Sequence, residues 1–170
     1  LIFASLLGLF DDFIQIYGFK NLTGDPIVLR YIKISTILLI AFIFAWWFYF
    51  KLGMTSVYIP FIGYYFIGIL FIPFFIMIML AMFSSSVIDG LDGLSGGVLA
   101  SIFVAYTVIA FFNGQMDLAA FCAVVTSGIL AFLWFNIPPA RFYMGESGMI
   151  GLTVTISVIA FLTNTVLLLP

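Results

Sequence analysis

Long uncharged stretches divide the chain, and sparse charges mark their ends. Residues 34–50 carry no charge and are rich in Ile, Leu, Phe and Trp, which predicts a membrane-spanning helix with Trp46, Trp47 and Tyr49 at an interface. Lys51 ends it. Residues 52–88 are also uncharged, too long for one crossing of a hydrocarbon layer about 30 Å thick, and Gly53 and Pro60 predict a non-helical hairpin before the next span. That span is expected over 64–83, to within about three residues, with a kink at Pro73. Spans over 93–116 and 118–140 follow, separated by the polar turn of Asn113, Gly114, Gln115 and Asp117, and a last one over 149–169. Residues 1–10 read as the end of an earlier helix, since a crossing needs about 20 residues. The pattern predicts an all-α, polytopic transmembrane helical bundle of five full spans plus that helix end. Residues 1–170 form one partial membrane domain, an internal piece of a longer protein, with loops near 11–33, 84–92 and 138–148.

Composition removes the other classes. The chain is 65% hydrophobic and 19% aromatic, with five Lys plus Arg against seven Asp plus Glu; a soluble domain is about a quarter charged. Disorder needs low hydrophobicity and high charge, and a net charge of −2 leaves no basic footprint for nucleic acid. There is no histidine, and Cys122 is the sole cysteine, so His-dependent triads and disulfide or thiolate-cluster frameworks are excluded from this sequence. Five crossings place 11–33, 84–92 and 138–148 on one side, and 51–60 with 113–117 on the other. The first set holds Lys20, Arg30, Lys33 and Arg141 against Lys51 alone, which predicts that it faces the cytoplasm. Six of the seven acids, Asp11, Asp12, Asp25, Asp89, Asp92 and Glu146, share that side; Asp117 does not.

These acids fall in three clusters. Asp11 and Asp12 follow an apolar run, and adjacent carboxylates repel unless a cation, a metal or a shared proton holds them; alternatively they only stop a helix at headgroup level. In SSSVIDGLDGLSGG, from Ser84, Asp89 and Asp92 are three apart and share one side of a helical turn. Gly90, Gly93, Gly96 and Gly97 strip away side chains so that a ligand or another backbone can approach. Taken alone, Asp89 reads first as an N-cap for the following helix, which explains one Asp but not a second in the next turn beside four glycines. In FLWFNIPPARFYMGESGM, from Phe132, Pro138 and Pro139 end a helix just after Asn136, and Glu146 sits near the start of the last span, where a helix N-terminus favours an anion. Carboxylates converging on one surface favour a hard divalent cation, Mg²⁺ above all because every candidate donor is oxygen. Such an ion recruits phosphate oxygens. No P-loop or kinase glycine loop is present.

At these residues the chain resembles the polyprenyl-phosphate N-acetylhexosamine-1-phosphate transferase superfamily. DD at Asp11 and Asp12 matches its aspartate pair, IDGLDGLSGG from Ile88 resembles its TDGLDGLA signature, and FLWFNIPPARFYMGES from Phe132 resembles its NxxPAxxFMGDxGS segment. VYIPF, from Val57, looks like the extracytoplasmic hairpin of the muramoyl branch. The resemblance implies Mg²⁺-dependent transfer of a phospho-sugar from a UDP-linked amino sugar, UDP-MurNAc-pentapeptide, to undecaprenyl phosphate. The products would be lipid I and UMP, for peptidoglycan synthesis at the cytoplasmic face of the bacterial inner membrane. It further implies that Asp11 and Asp12 activate or position the lipid phosphate, and that Asp89 and Asp92 line the nucleotide and metal site. Glu146 stands where the family has a magnesium-binding Asp. Ser86, Gly90, Asn136 and Tyr143 would border the substrate, with Tyr143 as a stacking face.

Four positions depart from the family pattern: Gln15 for the Lys of DDxxK, Ser86 for an Asn, Glu146 for an Asp, and Met149 for a Ser. A lost Lys or Asn beside phosphate costs about 1 to 3 kcal/mol on the scale of charge-assisted hydrogen bonds, and Lys20 is the candidate replacement cation. The family's first helices and its His-rich loop are not in this sequence. A sister enzyme using UDP-GlcNAc and a non-catalytic homologue stay open as alternatives, as does a homodimeric assembly in the bilayer. An ion-coupled transporter would need its acids near the midplane rather than at one face.

Overall fold

The computed structural model describes residues 1, 2, 4–6, 8, 9, 13, 26–59, 63–85 and 93–168. Among them the N-terminal residues 2–9 are helical where described, and five longer helices follow. These are α1 (Pro26–Lys51), α2 (Phe71–Ser85), α3 (Leu94–Phe112), α4 (Met116–Asn136) and α5 (Glu146–Leu162). Between α1 and α2 lie β1 (Ser56–Ile59), β2 (Gly63–Phe66) and a 3₁₀ turn at Gly68–Leu70; a second such turn, Val166–Leu168, follows α5. The chain is a polytopic helical membrane protein. Ile34–Lys51, Leu94–Phe112 and Met116–Asn136 are long and apolar enough to cross a bilayer, and Gly68–Ser84 and Ser147–Leu162 are shorter apolar helices.

The expected hairpin is present as an antiparallel pair in which Val57 faces Tyr65 and Tyr58 faces Tyr64. It displaces the second span. Tyr64 belongs to β2, and α2 starts at Phe71 rather than 64, because aromatic and β-branched residues at 56–66 pair as strands instead of continuing the apolar helix. Pro73 therefore falls in the first turn of α2, where its backbone nitrogen has no intrahelical acceptor to lose. The kink expected there has no cause. The fourth helix stops at Asn136, before Pro138 and Pro139 rather than at 140, and the last runs from Glu146 to Leu162 rather than from 149 to 169.

A cluster of phenylalanines ties α1, α2 and α5 together: the Phe75 and Phe161 rings stack at 4.3 Å, with Phe48 at 5.2 Å from Phe75 and Phe71 at 5.4 Å from Phe161. The most extensive helix contact is α3 with α4. Gly96 makes it close, since a Cβ there would stand 3.0 Å from Leu133 Cδ1 and 3.3 Å from Phe132 Cε1. The innermost helix is α5, whose buried hydroxyls turn back to their own helix: Thr153 donates to the Met149 carbonyl at 2.7 Å, and Ser157 to that of Thr153 at 2.9 Å. This satisfies polar groups where water is excluded. Outward, α1 shows a ladder of Phe42, Trp46 and Phe50, all exposed, as a lipid-facing surface should.

The contacts sort the loops onto two ends. Asn113 Nδ2 donates to the Thr163 carbonyl and Gln115 Nε2 to the Leu162 carbonyl at 3.2 Å, so the α3–α4 turn meets the end of α5. The hairpin packs there too, β1 against Val166–Leu168. At the opposite end the start of α3, the end of α4 and the loop before α5 come together.

Candidate functional site

Asn136 builds that second end. It is the last residue of α4, is 1% exposed, and points away from solvent. Its Oδ1 accepts the Gly93 backbone N–H at 2.9 Å, and its Nδ2 donates to the Phe142 carbonyl at 2.9 Å. One amide thus joins the last residue before α3, the end of α4 and the loop leading to α5. The local sequence explains why the amide is available. Ile137 is extended and two prolines follow, so the helix cannot continue past Asn136 and its side chain is left at the turn.

Gly93 takes the left-handed conformation, φ +78°, as the N-cap of α3. A side chain would be strained there, and a Cβ would meet the Asn136 carbonyl oxygen at 3.7 Å. The cap of α3 is therefore Gly93, which sets aside the reading of Asp89 as the N-cap of this helix. Gly96 admits Phe132 and Leu133, as expected of a glycine that lets another element approach, whereas a Cβ on Gly97 would meet nothing within 4 Å. The loop 137–145 is held by backbone and rings: the Arg141 N–H donates to the Phe135 carbonyl at 2.9 Å, and the Phe142 ring lies 5.4 Å from Phe132 and 5.8 Å from Phe135. Tyr143 is 61% exposed. Gly145 caps α5, and Glu146 is the first residue of that helix, as the sequence suggested.

Asp11, Asp12, Lys20, Ser86, Asp89, Gly90 and Asp92 lie outside the described residues, as does the side chain of Glu146. Covalent geometry still tethers some of them. Asp92 is bonded to Gly93, about 3.8 Å between Cα atoms, and Asp89 is at most about 14 Å away along the chain. Glu146 is four residues from Phe142. The described parts of two of the three sequence clusters, 93–97 and 132–149, are thus joined by the Asn136 amide. The N-terminal helical residues reach α5 independently, because a Cβ on Gly151 would overlap Ser5 Oγ, and Asp11 follows Ser5 by six residues, at most about 22 Å. Sequence reasoning missed two of these contacts. The Phe142 carbonyl carries no side-chain signal, and the Ser5–Gly151 contact joins residues too far apart for any pattern to register.

Residues 1–164 match the family described as Glycosyl transferase family 4. Relatives named phospho-N-acetylmuramoyl-pentapeptide-transferase include one from Listeria innocua, 35% identical over 93% of this chain and 48% of its own length. One from Chloroflexus aurantiacus is 34% identical over 98% of this chain and 47% of its own. A third, from Anoxybacillus flavithermus, is 38% identical over 97% and 50% respectively. The chain spans about half the length of the curated relatives it matches. With nearly all of its residues inside the family match, the chain belongs to glycosyl transferase family 4.

Proposed function

We propose that the protein containing this chain transfers phospho-MurNAc-pentapeptide from its UDP-linked donor to undecaprenyl phosphate, releasing UMP and forming lipid I. The observation that carries the reading is the Asn136 amide, which draws the Gly93 turn and the Phe142 loop onto one end of the bundle. That the relatives are named phospho-N-acetylmuramoyl-pentapeptide-transferase supports this choice of substrate.

The acids nearest in sequence to the segments that this amide joins are Asp89, Asp92 and Glu146, all hard oxygen donors, a set that would fit Mg²⁺ better than a softer ion. Glu146 and Asp89 would hold the ion, which when bound neutralises phosphate charge. Asp11 and Asp12 position the lipid phosphate, and one of its oxygens attacks the sugar-bearing β-phosphorus of the nucleotide. The bond from that phosphorus to the bridging oxygen breaks, and UMP leaves with both electrons of that bond. Two carboxylates side by side favour a single shared proton or cation, which suits them to orient an anion through a counter-ion. Tyr143 offers a ring face to the base, and Ser86, Gly90 and Lys20 border the nucleotide and its phosphates. Asn136 acts on the substrate through the two backbone groups it fixes. The acidic end then lies on the cytoplasmic face of a bacterial inner membrane, on the side carrying Lys20, Arg30, Lys33 and Arg141.

The test is Mg²⁺-dependent exchange of labelled UMP into UDP-MurNAc-pentapeptide by the full-length protein. Asp89→Asn and Glu146→Gln each abolish exchange if the assignment is right. Exchange unchanged in both rejects the site, and release of UMP from UDP-GlcNAc alone rejects the substrate.

A further inference from the structure

Beyond the end of α4 the surface opens into a hollow of about 330 Å³ lined by Trp134, Phe135, Ile137, Pro138, Pro139 and Arg141. This is at the lower end of the range for small-molecule sites. Its lining side chains are apolar or aromatic apart from one guanidinium, with polar backbone exposed between them. Arg141 is the only Lys or Arg after Lys51 in this sequence, and its backbone is tied to the Phe135 carbonyl, so the base of the side chain is fixed at the rim.

Depth identifies the occupant. A helix of 21 residues is about 31 Å long at 1.5 Å per residue, close to the hydrocarbon thickness of about 30 Å. The residues just past Asn136 therefore sit at the level of the lipid headgroups. Trp134, 79% exposed two residues before the helix end, occupies the position of an interfacial aromatic. A ligand reaching this hollow from the leaflet presents an anionic phosphate beside the start of an acyl chain. Arg141 matches the phosphate, for which a guanidinium is the suited donor, and Ile137, Pro138 and Trp134 match the chain.

We infer that this hollow is a binding site for an anionic glycerophospholipid of the surrounding leaflet, with Arg141 on its phosphate. The site is lined by side chains that turn out, while Asn136 turns inward from the same stretch of chain. It does not depend on the proposed reaction.

The test uses the full-length protein in nanodiscs of phosphatidylcholine and phosphatidylglycerol, with no UDP-sugar present. Brominated phosphatidylglycerol or brominated phosphatidylcholine is introduced at equal mole fraction, and the Trp134 share of the fluorescence is taken as the difference from Trp134→Phe. Quenching by the brominated phosphatidylglycerol exceeds that by phosphatidylcholine if the site exists. The corresponding enrichment falls about tenfold in Arg141→Gln, as expected for one lost charge-assisted contact, and partly survives in Arg141→Lys. A salt titration on the unmodified protein reads the same contact without a variant, because raising ionic strength from about 0.1 to about 1 M shortens the screening length from roughly 10 to 3 Å. Enrichment that falls over this range supports the site. Equal quenching by the two lipids overturns the proposal, leaving Trp134 as a plain interfacial ring. Displacement by millimolar inorganic phosphate, or enrichment seen only with polyprenyl phosphate, overturns the assignment to a glycerophospholipid.

Discussion

Replacing Asn136 by Ala removes a fully buried amide whose two hydrogen bonds, each 2.9 Å, join the Gly93 turn to the Phe142 loop. A typical hydrogen bond contributes about 1 kcal/mol net, and a buried partner left unmet costs about 1 to 3 kcal/mol. The Gly93 N–H and the Phe142 carbonyl are both orphaned, and because both bonds are only part-buried each costs about 1 to 2 kcal/mol, so the local cost is about 2 to 4 kcal/mol. At about 1.4 kcal/mol per decade, the opening equilibrium of this end rises roughly 30- to 700-fold. Hydrogen exchange of the full-length protein reads it directly, because exchange by local opening tracks that equilibrium. The Gly93 amide and the Arg141 amide, which is held by the Phe135 carbonyl, should both speed up in Asn136→Ala. The amides in the middle of α5 should not change. Asn136→Asp separates the two bonds: it keeps an acceptor for Gly93 but sets a carboxylate oxygen against the Phe142 carbonyl. The Gly93 amide then stays protected while the Arg141 amide is released. If neither amide responds to Ala, or both respond equally to Asp, the amide does not hold this end together.

The helix contacts give further expectations. Gly96→Val should lower the midpoint of thermal unfolding, costing about 1 to 3 kcal/mol, because its side chain must displace Phe132 and Leu133. Gly97→Ala, with open space at its Cβ, should leave stability unchanged or raise it by up to about 1 kcal/mol, the helix preference for Ala over Gly. Gly151→Ala should loosen the N-terminal residues from α5, seen as faster proteolysis before residue 26, and Ser5→Gly in the same protein should restore protection by removing the overlapping hydroxymethyl group. Gly93→Ala should cost about 1 to 2 kcal/mol from the left-handed backbone alone and accelerate exchange of the Gly97 amide, which donates to the Gly93 carbonyl.

The parts of this architecture that were legible from sequence are those set by local pattern. Uncharged runs marked α3, α4 and the apolar part of α1 because burying twenty apolar residues in a bilayer outweighs finer preferences. But α1 begins at Pro26, inside the loop expected over 11–33, since Pro suits a helix start and Arg30 and Lys33 are tolerated at a helix end outside the hydrocarbon. Gly53 and Pro60 marked the hairpin, and Pro138 with Pro139 marked the end of α4. Where two local tendencies competed, the boundary moved: Tyr64, Tyr65 and Phe66 are apolar enough for a span but pair across a strand, and that pairing pushed α2 seven residues along, which placed Pro73 in a harmless first turn. The site was legible as a set of residue types and not as a geometry. Asn136 was recognised as a candidate beside the nucleotide, yet both of its described hydrogen bonds are to backbone, one of them 43 residues away. No spacing rule carries such a pairing, because the partner is an N–H group that every residue but proline possesses. The close approach of α4 to Gly96 was anticipated only as an approach by some ligand or backbone, since a missing side chain does not say which neighbour fills the space.

The central claim is that Asp11 and Asp12, Asp89 with Asp92, and Glu146 serve one divalent cation. Counting bound Mn²⁺ by electron paramagnetic resonance in the full-length protein tests it most directly, with Asp12→Asn, Asp89→Asn and Glu146→Gln compared singly. The account predicts one tightly held ion per chain in the unmodified protein and its loss or marked weakening in each of the three. An ion that survives all three substitutions, or separate ions each removed by only one of them, would contradict a shared pocket.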